Sequence, residues 1–333
     1  MAWKNTEQRS LADALASHHK ALTELDDVHA LIDWARIEKL LSGIHTKKKG
    51  EHAWPPLLMF KALLLQSWYG LSDPQLEKQL ARDLLFRRFA GLSVSASVPD
   101  HSTLWRFRNH PEVKRLQAVI LTEINQQLAD KSLYIKQGEI SIIDASVIEA
   151  QRHRPNRDKN GDNTQDSEAA YNVKAASNGR QKTTYGYKAH VNVDEDGFVK
   201  AMEFTAGNVH DSQVFTPLLS GGEQAVYADS VYASAKTTEW LAQHEIDNGV
   251  LDRAYRNKPL TPKQKQRNRG LSRIRCIVER VFGVMKLHYG MGKARYLGLE
   301  RNKMRMAIVC MAYNIKRGAS VQRDIENWQE GYA

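Results

Sequence analysis

The apolar pattern of this 333-residue chain changes its period near residue 135, and that change limits the folds open to it. Before that point LADALASHH, PLLMFKALLLQSWYG and PEVKRLQAVILTEINQQL repeat their apolar residues at helical spacing, so residues 1–135 read as an all-α domain. After it come short β-type runs: EISIIDAS, the alternating TYGYKAHVNVD, a DEDG turn and FVKAMEFTA, together an antiparallel meander. A helix around QVFTPLL, the buried-strand run AVYADS, a helix near AKTTEWLAQH, a short strand GVLD and a helix over SRIRCIVERVFGVMK follow. The expected fold class is α+β or α/β: a mixed sheet flanked by helices over residues 136–320, behind the helical domain, with 321–333 as a tail.

Within the helical part, SDPQLEKQLARDLLFRRFAGL reads as one helix, capped by Ser72 or Asp73, with Pro74 at its first position and its close near Gly91. The turn-like LSVSASVPD and a second helix, STLWRFRN, come next. Residues 72–110 are thus a candidate helix-turn-helix, with Arg106 and Arg108 beside Trp105 and Phe107 as candidate groove readers. Plain core packing of two helices is the competing reading.

Forty-eight Lys and Arg against 38 Asp and Glu leave a net charge of +10, which favours a polyanionic partner, with nucleic acid foremost. The basic residues cluster: RAYRNKPLTPKQKQRNRG carries Arg253, Arg256, Lys258, Lys263, Lys265, Arg267 and Arg269 in eighteen positions without an acid. Such a loop would track phosphates. A second loop, residues 151–183, is long, polar and rich in Asn and Gly, as expected of a mobile or partner-ordered segment. Two cysteines, Cys276 and Cys310, both within apolar helical patterns, can build neither a four-cysteine zinc site nor a disulfide framework. MAWKNTEQRS lacks the layout of a secretion signal, and Lys61 interrupts the greasiest run well short of the ~18 residues of a membrane span. A cytoplasmic, nucleoid-associated protein is expected, with no membrane partner.

SIIDAS and VYADS each end an apolar strand run in an aspartate, Asp144 and Asp229, followed by a small residue. A carboxylate there loses hydration and needs hydrogen bonds, a cation or a metal. Each alone reads as a turn or capping aspartate. If the first and fourth strands of the meander order are neighbours, however, the two stand side by side, and a helix over the sheet can lower Glu279 toward them. On that helix Ser272, Arg275, Glu279 and Lys286 lie within roughly 40° of one line, opposite an apolar face. A solvated face with an Arg275–Glu279 pair is the bland alternative. Three converging carboxylates repel each other and call for divalent cations, and oxygen-only ligation points to Mg2+ or Mn2+. Two such ions can drive phosphodiester displacement.

These residues resemble those of the DDE transposases of bacterial insertion sequences, specifically the IS-five group. That family carries its third acid in a signature of Tyr, two residues, Arg, three residues, Glu, six residues, Lys. Arg275, Glu279 and Lys286 match the spacing, with serine at position 272 in place of tyrosine. The first two acids match as Asp144 and Asp229, and WYGLSD, FRRFAGL, PDHSTLWRFR, YGYKAH, GNVHDS and KARYLGL extend the similarity over nearly the full length. The resemblance implies an RNase H-like catalytic domain behind a helical DNA-binding one. It also implies Asp144, Asp229 and Glu279 as catalytic metal ligands, hydrolysis at the element's terminal inverted repeats, and attack of the freed 3′-hydroxyl on target DNA. A homodimer or higher synaptic oligomer on double-stranded DNA is implied as well. Lys188 and His190, on one face of a strand, are further candidate DNA contacts, and His210 and Asp211 either border the metals or cap a helix. An RNase H-like nuclease without strand transfer and a non-catalytic DNA-binding regulator are the alternatives in function.

Overall fold

The computed structural model describes residues 20–44, 52–133, 139–151, 157–159, 161, 165–175, 181–255 and 257–331. LADALASHH, the boundary expected at 135 and Arg256 lie outside them. The chain divides into two compact units, Met1–Leu133 with Ala307–Ala333, and Tyr134–Met306.

The first unit is helical: α1 (Asp26–Leu31), α2 (Trp34–Leu41), α3 (Pro56–Trp68), α4 (Asp73–Arg82), α5 (Leu84–Ala90), α6 (His101–Arg108) and α7 (Pro111–Asp130). Its centre is α3, where every residue from Leu58 to Gln66 is buried, as its nearly unbroken apolar run dictates. Lys61 is the exception in chemistry. Its ammonium sits 3.0 Å from His29 Nε2 and 4.5 Å from the centre of the Trp34 ring, and burial pulls it down to about 8. The C-terminal residues also join this unit, as the helix over Leu299–Gly331 returns Ala312 O to Trp68 Nε1 at 2.9 Å and Asn314 Nδ2 to Asn125 Oδ1 at 2.7 Å. The sequence reading set 136–320 apart from a tail at 321–333, whereas one continuous helix runs through residue 320.

The segment read as one helix from 72 to 91 is two. Asp83 closes α4 in an extended conformation, and its carboxylate accepts the N–H groups of Leu85 and Phe86 to open α5. An aspartate satisfies orphan helix donors better than it continues a helix, and here that preference wins over apolar periodicity. Ser72 and Gln75 form a capping box at the start of α4, and Gly91, at φ +81°, ends α5 in the left-handed conformation.

The second unit is built on a six-stranded sheet, β1 (Ile140–Glu149), β2 (Ala170–Ala175), β3 (Gln181–Val193), β4 (Val199–Ala206), β5 (Ala225–Ala228) and β6 (Asp247–Val250), in the order β2-β3-β1-β5-β6 with β4 also on β3. The meander is present, β1 and β4 both running antiparallel to β3, while β1, β5 and β6 are parallel. It is therefore a mixed sheet. Gly186 in YGYKAH allows β3 to approach β1, since a Cβ there would lie 2.1 Å from Ile148 O.

Two expectations fail here. The polar segment 151–183 contains β2, whose pattern is inverted: Tyr171 and Val173 are exposed while Asn172 is buried. Its apolar residues point outward, so no buried face marks it. The helix expected around QVFTPLL is two single 3-10 turns, Asp211–Gln213 and Thr216–Leu218, because Pro217 can only begin a turn.

The sheet's helices are α8 (Ala235–Gln243), against β6, and α9 (Pro262–His288), across β1, β3 and β5, before the final helix, α10 (Leu299–Gly331). Helix α9 starts ten residues earlier than its apolar stripe suggests, because Thr261 and Gln264 form a capping box and Pro262 takes the first position. Half of the expected basic loop is thus helical. The opposite face of the sheet carries an apolar core of Ile143, Val226, Ala228 and Val250 against Phe215, Leu218, Tyr232, Leu241 and Ile246.

The two candidate groove readers on α6 part company. Arg108 is buried and forks onto Asp73, with Nη2 at 2.7 Å from each carboxylate oxygen, whereas Arg106 is exposed beside the exposed Trp105. Removing one partner of such a pair strands the other. Denaturant unfolding should show Arg108→Ala destabilised by about 3 kcal/mol or more, and Arg106→Ala within about 0.5 kcal/mol of the parent. Equal small losses would mean that the Asp73 pair carries no structural weight.

Candidate active site

The register of the parallel pair decides where the first two acids go. Ile143 on β1 stands beside Ala228, the last residue of β5, so Asp144 and Asp229 are the next residues on adjacent strands. Here β5 stops, while β1 continues to Glu149 beside β3, with one bridge from Glu149 to Lys293 at its end. Asp144 lies at the opening left by the shorter strand, on the face it shares with Val191, its partner on β3. Asp229 begins a 3-10 turn over Ser230–Tyr232 and accepts the N–H of Ser230 at 2.6 Å.

Helix α9 brings the third acid. Its buried residues Val278, Val281, Phe282 and Met285 hold it on the sheet, and Arg275, one turn before Glu279, is buried with them. The Arg275 guanidinium lies among all three acids, 3.8 Å from Asp144 Oδ2, 3.7 Å from Asp229 Oδ1 and 3.8 Å from Glu279 Oε1. Every separation exceeds hydrogen-bond range, and the buried Arg275 Nε has no hydrogen-bond partner. Charge, rather than a set of directed bonds, holds the guanidinium there. Glu279 is the most open of the three, its side chain 58% exposed.

The donor set is oxygen alone, the set that suits Mg2+ or Mn2+. Among the described residues no three His, Cys, Asp or Glu side chains stand close enough together to hold one ion. The acids are gathered around a cation of the chain's own, at a spacing wider than metal ligation.

Sequence reasoning missed Tyr232. Three residues after Asp229, it is buried, its hydroxyl has no hydrogen-bond partner, and burial together with the charges of Asp211, Asp144 and Asp229 pushes that hydroxyl far above the ordinary phenol range. The only trace in the sequence is its place in VYADSVYAS, where it reads as one more apolar residue. Asp166, within the polar segment, was missed as well. It accepts from Gly298 N at 2.8 Å and from the Tyr187 hydroxyl, and Glu168 accepts from Leu299 N at 2.9 Å at the start of α10.

The remaining candidates divide by burial. Lys188 and His190 alternate with the residues facing Asp144, so they lie on the sheet's other face. Lys188 is buried and paired with Asp211 at 2.8 Å, and His190 is fully buried with Nε2 2.9 Å from Thr205 Oγ1, so neither is placed to touch DNA. Asp211 is that ion-pair partner, and the cap of its turn is His210, which accepts the Ser212 N–H. Arg267 caps the outer edge of β6, donating to Val250 O at 2.9 Å and Asn248 O at 2.6 Å and pairing with Asp252 at 3.1 Å. Arg253, Lys258, Lys263, Lys265, Arg269 and Lys286 are exposed, as is Cys276, while Cys310 is buried. Arg253 also lies 6.0 Å from the exposed ring of Tyr255. Ser272 turns its hydroxyl back to Asn268 O at 2.8 Å.

The family described as "Transposase DDE domain" matches residues 135–315, a span that contains Asp144, Asp229, Arg275 and Glu279. The chain belongs to the DDE transposases. A second family, "Transposase domain (DUF772)", matches residues 10–110 of the transposase, which includes α4 to α6. A likeness to the crystal structure of a pre-cleavage Mos1 transpososome covers 95% of this chain and 97% of that one at 12% identity, but its TM-score of 0.20 gives it no weight. Membership in the family supports DNA binding and a transposase-like enzymatic function in general. No helix among the described residues is long and apolar enough to cross a membrane.

Burial holds the imidazole of His190 down to about 4, so the ring is neutral through the physiological range. Its contribution to stability is complete above the ordinary histidine pKa of about 6.5 and is lost as the pH falls toward 4. Nitrogen chemical shifts of His190 should show a neutral ring at pH 6, with protonation only near pH 4. A midpoint at 6 or above would mean that the strand face opens to water.

Proposed function

We propose that the chain is the transposase of an insertion sequence of the IS-five group, with an RNase H-like catalytic domain behind a helical DNA-binding domain. In this reading it binds terminal inverted repeats, cleaves the phosphodiester bonds at the element ends and joins the freed 3′-hydroxyl to target DNA. A homodimer or higher synaptic oligomer brings two ends together in the cytoplasm, at the nucleoid. The observation that carries the reading is that Asp144, Asp229 and Glu279, from a long strand, a short one and a helix, all come within 4.0 Å of one guanidinium.

Asp144, Asp229 and Glu279 would hold Mg2+ or Mn2+ with oxygen ligands. When bound, such ions activate a water or hydroxyl and stabilise the leaving oxygen of an in-line phosphoryl displacement. The rest falls to the chain's own side chains. Lys265, Arg269 and Lys286, exposed on the Glu279 side of α9, hold the DNA backbone by its phosphates. Trp105 and Arg106 on α6 offer an exposed aromatic and cation for a groove, the role that buried Arg108 cannot take.

Asp144→Asn, Asp229→Asn and Glu279→Gln should each lower strand cleavage of a DNA substrate carrying the element's ends about a thousandfold or more, the scale of losing charge stabilisation in a transition state. Binding of the same DNA should persist. Substantial cutting by any one of the three would refute the assignment, and hydrolysis by the parent without end joining would reduce the enzyme to a nuclease.

A further inference from the structure

We propose that Arg275 couples the two ligands of the site: it occupies the acid cage until a DNA phosphate draws it out, so that divalent cations load more tightly on DNA-bound protein. The proposal rests on the reading of Asp144, Asp229 and Glu279 as cation ligands, and assigns Arg275 a positioning role toward them.

The charge arrangement leads to it. One buried guanidinium already stands among the three carboxylates, at 3.7 to 3.8 Å from each, and offsets part of their negative charge. A dication entering among the same oxygens would stand within a few ångströms of that positive group, and like charges so close in a half-buried site repel strongly. The present position of Arg275 therefore weakens cation loading among these oxygens. This accounts for the convergence of three acids without a ready-made cation cluster among the described residues.

The guanidinium is also held loosely. None of its three contacts is within hydrogen-bond range, and Nε is buried with no hydrogen-bond partner, so part of its donor fork is unsatisfied where it stands. A phosphate satisfies that fork with two parallel bonds, which no single one of the surrounding carboxylates does in this arrangement. The route for a phosphate is present as well. The exposed stripe of α9 that carries Glu279 places Lys265 before Arg275 and Lys286 after it, so a DNA backbone following the stripe passes close to the arginine. Helix position and charge thus give Arg275 two alternative anionic partners, and binding of phosphate and of cation must then favour each other to the same extent. The consequence is a cutting centre that loads its cations preferentially on DNA.

The test uses the full-length protein, with Mn2+ as probe, followed by the loss of the free-ion paramagnetic resonance signal with and without a short duplex of arbitrary sequence, the duplex's own Mn2+ uptake being subtracted. The parent protein should bind Mn2+ at least about tenfold more tightly with the duplex, a coupling of typical allosteric size. Arg275→Gln should bind Mn2+ more tightly than the parent without DNA, and the duplex should add less than about twofold, since the coupling has been removed. Arg275→Lys keeps the charge but not the fork, so Mn2+ binding should stay weak without DNA and the duplex should help less than in the parent; this variant decides the matter if the glutamine does not fold. Equal Mn2+ affinity of the parent with and without duplex, or weaker Mn2+ binding by Arg275→Gln, would overturn the proposal. Mn2+ uptake that Asp144→Asn leaves untouched would instead overturn the reading of the acids on which it rests.

Discussion

Mutual repulsion among three carboxylates is the constraint around which the sheet-bearing unit is arranged. Acids at the ends of buried strands are costly unless a cation stands between them. In this chain the first cation is Arg275, placed by the same helix that delivers Glu279. Its stem is buried beside the apolar residues that hold α9 to the sheet, so the packing of that helix and the electrostatics of the site are one arrangement. A change that moves the helix moves both the third acid and the counter-ion of the other two.

The strands supply the rest through a difference in length. Because β5 ends at Ala228 beside Ile143, the sheet opens at the residue after each, and both of those residues are aspartates. The opposite face is sealed by an apolar core and by the buried Lys188–Asp211 pair, so the acids open to one side only. Tyr232 stands where the two meet: a member of the core, with a hydroxyl in the field of Asp144 and Asp229.

Much of this was legible in the amino-acid sequence, for reasons that can be named. Asp144 and Asp229 announce themselves by ending apolar runs, and Glu279 by its place on an amphipathic helix opposite the greasy stripe. The change of period near residue 135 separated helices from strands. What was hidden was the direction in which charged side chains point. Lys188, His190, Arg108 and Arg267 look like surface cations in the sequence, yet each is taken up by a partner distant along the chain: Asp211, Thr205, Asp73 and the edge of β6. Alternation and helical spacing fix a face but do not say whether that face meets water or another element. The strand β2 was hidden for the opposite reason, since its apolar residues are outside and its asparagine is inside. Asp83 was read through because an aspartate in a helical pattern is silent until its carboxylate turns back to cap the next helix.

The central claim is that the oxygens of Asp144, Asp229 and Glu279 come to share divalent cations once DNA is bound. The most direct measurement is the anomalous scattering of Mn2+ in crystals of the protein with a DNA duplex carrying the element's ends. The account predicts Mn2+ peaks at about 2 Å from oxygens of these three residues, with the Arg275 guanidinium withdrawn to a phosphate. Peaks confined to other residues, or a guanidinium still seated among the acids on bound DNA, would contradict it.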